Sequence, residues 1–153
     1  MITTPNAEAA DAIRAHHAEL SDGLRRRVAA LDEAVAQRQE HAPAQAEVLA
    51  FLDGELLPHA AAEEKALYPA GEVGPTALLV RSMIGEHRNL LAHVDALRAA
   101  GEPIAAVGLS NAIRALFESH LVKENDLLIP ALAADPQISL AELLGGMHEL
   151  LGG

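Results

Sequence analysis

Proline and glycine interrupt this chain at a few points, and the stretches between them are built from residues that favour helices. Alanine and leucine supply 56 of the 153 residues, whereas Val, Ile and aromatic residues are few. This composition favours helices over strands. The breaks are Thr4-Pro5, Ala42-Pro43, Tyr68-Pro69-Ala70-Gly71, Gly74-Pro75, Gly101-Glu102-Pro103 and Asp135-Pro136. Because Pro suits the first turn of a helix and Gly the position after its end, the breaks predict an all-α chain.

Four long helices and a short fifth are predicted, over residues 5–38, 43–69, 75–100, 103–134 and 139–151. Since short connections make long neighbouring helices antiparallel, we expect an up-down-up-down four-helix bundle with the fifth helix packed against it. Ser139 followed by Glu142 predicts a capping box at the start of the fifth helix. Pro58 lies inside the second helix and is expected to kink it. The length suits a single domain, 1–153.

Composition and charge exclude several kinds of protein. The chain has no cysteine, so any metal must bind nitrogen and oxygen atoms. A net charge of −11 with three aromatic residues argues against nucleic-acid binding. The longest stretch without Asp, Glu, Lys or Arg, residues 103–113, is well short of the ~18 residues of a membrane span, and no secretory signal is visible. We therefore expect a soluble, cytoplasmic protein without a membrane partner, either a monomer or a weak homodimer.

Two halves of the chain share a pattern. Residues 59–69 and 120–130 both fit H-x3-E-x3-L-x-P. Each pattern follows a helix that carries H-x2-L, beginning at His17 in the first half and at His87 in the second. The repetition predicts two related helical hairpins with pseudo-twofold symmetry.

Within each repeat, a histidine and a glutamate lie on an otherwise apolar helical stripe. The stripes are Leu52, Leu56, His59, Glu63 and Leu67 in the second helix, and Ile113, Phe117, His120, Glu124 and Leu128 in the fourth. Residues four apart share one helix face, so both carboxylates point to the core. Neither stripe contains a Lys or Arg, and an ionised carboxylate buried without a partner is strongly disfavoured. These patterns indicate a cationic group between the helices.

The other two long helices each contribute one inward histidine. In the first helix the apolar stripe runs through His17, which the pattern favours over its neighbour His16. In the third helix it runs through His87. The predicted ligand set is His17, His59, Glu63, His87, His120 and Glu124. Four imidazoles and two carboxylates suit a pair of octahedral iron or manganese ions better than tetrahedral zinc, and the remaining alternative is a bundle with four core histidines and no metal.

This order of residues, with LPHAAAEEKALYPA around the first His-Glu pair, resembles the hemerythrin-like HHE family of cation-binding domains from about residue 10 to about residue 135. The resemblance implies a bundle around a non-haem di-iron centre whose two Fe ions share an oxo or hydroxo bridge. It also implies the assignment of the ligands: His17 and His59 on one iron, His87 and His120 on the other, and Glu63 and Glu124 as bridges.

The chain departs from oxygen-carrying hemerythrins at two positions. Their third helix has another histidine four residues on, where this chain has Leu91, and their fourth helix has an Asp where this chain has Asn125. The departure predicts a free coordination position on both irons. We therefore expect reaction with dioxygen or hydrogen peroxide, such as catalase-like decomposition. The alternative function is a non-catalytic domain that binds or senses oxygen or iron.

Three more residues are candidates for supporting roles. Tyr68, the only tyrosine, ends the second helix, where it is expected to plug the core; the less favoured alternative is a hydrogen bond to a ligand or control of access. Glu64 and Glu86 adjoin proposed ligands in sequence. Each is either an acceptor for a ligand's imidazole N–H group or an ordinary surface glutamate.

Overall fold

The structure, a computed structural model, describes residues 4–152, and within them the chain forms helices and turns without a strand. Helix α1 is Pro5–Ala36, α2 spans 42–67, α3 is Ala77–Ala99, α4 spans 103–134 and α5 is Leu140–Leu150. Helix α1 packs against α2, α4 and α5, and α3 packs against α4. The all-α prediction is confirmed, and the packing is consistent with a helical bundle. The predicted domain limits at residues 1–3 and 153 lie outside the described residues.

Helices α2 and α4 contain π turns, in which an N–H group bonds to the carbonyl five residues earlier. The π turns are Leu52–Leu56 and Glu63–Leu67 in α2 and Glu124–Leu128 in α4. Each ends two residues before a proline: Pro58, Pro69 or Pro130. A proline lacks an N–H group and its ring collides with the carbonyl four residues back in a regular α-helix. The wider turn removes that conflict, so the disturbance expected at Pro58 takes the form of a π turn.

The helix ends differ from prediction by a few residues. Helix α1 ends at Ala36, and 3₁₀ turns at Tyr68–Gly71 and Gly74–Thr76 connect α2 with α3. Gly74 has φ +73°, a left-handed conformation that glycine adopts without strain. At the start of α5, the Ser139 hydroxyl accepts the Glu142 N–H group at 3.3 Å, which provides one of the two bonds of the predicted capping box.

The apolar core is divided into two clusters by a layer of polar side chains. One cluster includes Leu20, Leu56, Leu90 and Phe117, and the other includes Ile13, Leu67, Met83 and Leu128. Along each of α1 to α4, a buried histidine lies between members of the two clusters. The interior is therefore polar at one level. No helix in the described part of the chain is long and apolar enough to cross a membrane.

Candidate metal centre

The polar layer brings together all six residues that the sequence singled out as ligands. They are His17 of α1, His59 and Glu63 of α2, His87 of α3, and His120 and Glu124 of α4, and all are buried. Their ligand atoms form two groups within which every atom lies within 4.8 Å of the others. The first group is His17, His59, Glu63 and Glu124, and the second is Glu63, His87 and His120.

Glu63 faces histidines of both groups. Its Oε2 lies 3.5 Å from His17 Nε2 and 3.3 Å from His59 Nε2, whereas its Oε1 lies 3.6 Å from His87 Nε2. Burial alone raises the pKa of Glu63, but His59 and His17 outweigh burial and hold that pKa well below its usual value. The carboxylate is therefore ionised at neutral pH.

Glu124 has the same two-sided arrangement. Its Oε1 lies 3.3 Å from His17 Nε2, and its Oε2 lies 3.0 Å from His120 Nε2. Each glutamate thus presents one oxygen to the first group and the other oxygen to the second group. Two metal ions held side by side use carboxylates that are placed in this way.

Several polar atoms that converge on this layer have no hydrogen-bond partner among residues 4–152. They are His17 Nε2, both ring nitrogens of His59, Glu63 Oε2, His87 Nδ1 and Glu124 Oε1. Buried polar atoms without partners are rare in native proteins and call for an ion or another bound group. The donors are nitrogen and oxygen atoms, and two of the side chains are anionic. The residues present therefore fit bound transition-metal cations.

His17 is held by a residue that sequence reasoning did not connect with it. His17 is fully buried, whereas the His16 side chain is 42 % exposed and its Nδ1 lies 3.7 Å from Glu19. His17 Nδ1 donates to Asn125 Oδ1 at 2.6 Å. An amide oxygen only accepts, so Nδ1 carries a proton, and Nε2 is the ring nitrogen that faces the two carboxylates. The available signal was the position of Asn125 directly after Glu124.

His120 is supported by Glu86, one of the two predicted acceptors. His120 Nδ1 donates to Glu86 Oε1 at 3.2 Å, and Lys123 Nζ donates to Glu86 Oε2 at 2.6 Å. Burial lowers the pKa of His120, which keeps its Nε2 lone pair free for a metal. Glu64, the other candidate, comes only within 3.9 Å of His87 Nδ1, too far for a hydrogen bond. Sequence reasoning missed Lys123.

The Tyr68 hydroxyl lies inside the polar layer. It lies 3.0 Å from His120 Nε2 and 3.3 Å from His87 Nε2, and it donates to Glu124 Oε2 at 3.1 Å. Burial, followed by the charge of Glu63, raises the pKa of Tyr68 far above its usual value, so the metal-free phenol keeps its proton. The Tyr68 ring packs in the core, as the preferred interpretation expected, and its hydroxyl also contacts proposed ligands directly, as the less favoured alternative expected.

A family model described as the hemerythrin HHE cation-binding domain matches residues 8–132. The chain belongs to this family. The matched stretch contains all six residues of the polar layer and ends before α5. No curated protein and no solved structure matches this hemerythrin-like chain significantly.

In this hemerythrin-like chain, a cavity of about 100 Å³ adjoins His59, a member of the first group of candidate ligands. Side chains of α1 and α5 line it, including Ile13, Leu144 and Met147, and His59 forms part of its wall. The His16 ring lies 4.9 Å from that of His59, between centroids. A small molecule in this cavity would lie beside a histidine whose ring nitrogens are unpaired.

The position four residues after His87 contributes nothing to the polar layer of this hemerythrin-like chain. Leu91 is 46 % exposed, whereas Leu90 beside it is buried in the core. The third helix therefore supplies a single imidazole. This agrees with the departure from oxygen-carrying hemerythrins that the sequence indicated.

Proposed function

We propose that this chain is a non-haem di-iron protein that reacts with dioxygen or hydrogen peroxide, with catalase-like decomposition of peroxide as its reaction. One observation carries the proposal: Glu63 and Glu124 each present one oxygen to either group of histidines. A pair of metal ions bridged by carboxylates needs this arrangement, and a single ion does not.

The proposed ligands follow the two groups. His17 and His59 would hold one iron, His87 and His120 would hold the other, and Glu63 and Glu124 would supply carboxylate oxygens to both. Iron cations supply positive charge beside the two buried carboxylates, and mixed nitrogen and oxygen donors suit octahedral iron better than zinc. Residues 1–153 would then form one hemerythrin-like domain, an up-down-up-down bundle whose four long helices each supply a ligand.

A bound iron pair would supply the redox chemistry of peroxide decomposition, in which two H₂O₂ yield two H₂O and one O₂. The protein prepares the site for this reaction. Asn125 and Glu86 accept the outer N–H groups of His17 and His120, which orients both rings. The apolar clusters on either side of the polar layer exclude bulk water. The cavity beside His59 provides space for a small oxidant.

Metal analysis together with a peroxide assay tests the proposal. The freshly purified protein should contain two irons per chain, show the absorption of an oxo-bridged diferric pair, and release oxygen steadily from peroxide. His87→Gln should abolish oxygen release. His93→Gln on the same helix is the matched control, because His93 is half-buried outside the polar layer and its ring Nδ1 bonds to the Asn89 carbonyl.

Three results would redirect the proposal. Zinc or no metal in the native protein contradicts it. Two irons with reversible oxygen binding and no peroxide turnover would favour the alternative function, a non-catalytic oxygen-binding or sensing domain. Equal loss of activity in His87→Gln and His93→Gln would locate the chemistry outside the polar layer.

A further inference from the structure

The Tyr68 hydroxyl has more polar neighbours than a single hydrogen bond requires. Its one proton serves one acceptor, yet Oη lies 3.0 to 3.3 Å from three atoms: His87 Nε2, His120 Nε2 and Glu124 Oε2. All three belong to the ligand set proposed above. The phenol is fully buried, and its ring stacks on that of His87 with centroids 5.4 Å apart.

The spacing of these atoms matches the donors around one octahedral metal ion. Donors about 2.1 Å from a metal and at right angles to each other lie about 3.0 Å apart. His87 Nε2 and His120 Nε2 are 3.1 Å apart, and His120 Nε2 and Glu124 Oε2 are 3.0 Å apart. Tyr68 Oη lies 3.0 to 3.3 Å from each of these three atoms, close to that spacing. It therefore occupies a corner of the same polyhedron.

We propose that Tyr68 Oη is itself a ligand of the iron bound by His87 and His120. The inference rests on the proposed di-iron site. Coordination replaces the phenolic O–H bond with an iron–oxygen bond, and the proton leaves to solvent, so no electron is transferred. A bound cation favours the deprotonated form of an oxygen ligand.

The π turn Glu63–Leu67 explains why Tyr68 reaches the site. At about 100° per residue, a regular α-helix would rotate Tyr68 about 140° away from Glu63. In the π turn the Tyr68 N–H group bonds to the Glu63 carbonyl. Tyr68, five residues after Glu63, is therefore brought back to the face of the helix that carries Glu63. The same turn therefore directs both a bridging carboxylate and the phenol into the polar layer.

The two irons then differ in their free positions. Tyr68 fills a position on the iron of His87 and His120. This iron has no further histidine ligand, because Leu91 stands at the position where oxygen-carrying hemerythrins have one. The iron of His17 and His59 keeps its open position, next to the cavity that His59 lines. An added small ligand such as azide therefore binds on the His59 side.

Resonance Raman spectroscopy of the ferric, iron-loaded full chain tests the proposal, because phenolate bound to ferric iron gives characteristic ring vibrations. Tyr68 is the only tyrosine, so no other residue can produce them. The bands should be present in the wild type, shift when the chain carries ring-deuterated tyrosine, and disappear in Tyr68→Phe. His93→Gln should keep them. Azide binding should leave them in place.

The outcomes separate this inference from the proposed function. Two irons per chain without phenolate bands would overturn the ligand role of Tyr68 and leave the di-iron proposal standing. Absence of iron would overturn both. Loss of the bands when azide binds would overturn the assignment of the open position to the His59 side. The isotope experiment needs no substitution, so it remains decisive if Tyr68→Phe folds poorly.

Discussion

The two copies of the H-x3-E-x3-L-x-P pattern have different surroundings. In the second copy, His120 donates to Glu86, which Lys123 also holds, and Glu124 accepts the Tyr68 hydroxyl. In the first copy, neither ring nitrogen of His59 has a hydrogen-bond partner among the described residues, and a cavity adjoins the ring. The same motif is therefore fixed by a hydrogen-bond network in one half, whereas His59 in the other half lacks such a network.

Under the proposed function, this difference gives the two halves different roles. A ligand whose ring is fixed by its outer N–H bond binds a metal in one orientation. A ligand without that bond can adjust when another molecule enters. We infer that the His120 half anchors the metal pair and that the His59 half receives the oxidant.

Removal of the negative charge of Glu63 or Glu124, the two proposed bridges, should have the largest effect. Glu63→Gln and Glu124→Gln each delete one anionic donor that faces both groups of histidines. We expect the iron content to fall from two per chain to one or none, measured by elemental analysis. Glu47→Gln, an exposed glutamate on the same helix as Glu63, should keep both irons. Full occupancy in both buried variants would contradict the bridging roles.

Acid should destabilise the iron-free protein because His87, a buried histidine in the second half of the chain, must take up a proton. Burial lowers the pKa of His87 to about 4, against 6.5 for the free side chain. The unfolded chain therefore takes up this proton at a higher pH than the folded chain does. The contribution of His87 is fully present above pH 6.5 and is lost as the pH falls towards 4, on the order of 3 kcal/mol. Urea unfolding at several pH values measures it.

The matched variants decide whether that loss belongs to His87. His87→Gln cannot titrate, so its stability should depend less on pH over this range, while His93→Gln should follow the wild type. Identical pH profiles for wild type and His87→Gln would show that other groups govern acid sensitivity.

The hydrogen-bond supports of the two halves should act on different irons. Asn125→Ala removes the acceptor of His17, and Glu86→Gln weakens the acceptor of His120. Loss of such supports typically lowers metal affinity by roughly 10–100-fold. Competition with a chelator, followed by Mössbauer spectroscopy of the remaining iron, should show depletion of a different site in each variant. Depletion of the same site in both would remove the distinction between the halves.

The smallest effect is expected outside the polar layer. The pKa of Glu118, on the surface of α4, is lowered by a hydrogen bond from Arg25 and by the nearby charge of Arg114. The stabilisation that the ionised Glu118 carboxylate provides is present above the usual pKa of a glutamate. It is lost as the pH falls through the lowered pKa of Glu118. Exposed pairs contribute less than about 1 kcal/mol, so Glu118→Gln should barely change the midpoint of thermal unfolding and leave both irons bound. A large loss of iron would contradict the confinement of the site to the interior.

Helical periodicity was enough to identify the buried polar residues. His17, His59, His87 and His120 each interrupt an apolar stripe, and the Pro and Gly breaks located the helices to within a few residues. These features are local, because a stripe and a break depend on neighbours in sequence. They predicted the helices and the set of side chains that meet.

Contacts that depend on π turns or on packing between helices were not predictable in this way. Tyr68 turns inward because a π turn replaces regular helical rotation, and the 100° periodicity carries no sign of it. Asn125 reaches His17 from another helix, and Glu86 meets Lys123 across the α3–α4 interface. Such pairs become visible only when the helices are packed together.

Mössbauer spectroscopy of the fully iron-loaded chain tests the central claim most directly. The account predicts two coupled ferric ions per chain, in two doublets of equal area, because the iron near Tyr68 and the iron near His59 have different surroundings. A single isolated ferric ion, or a protein that retains no iron after purification and reconstitution, would contradict it.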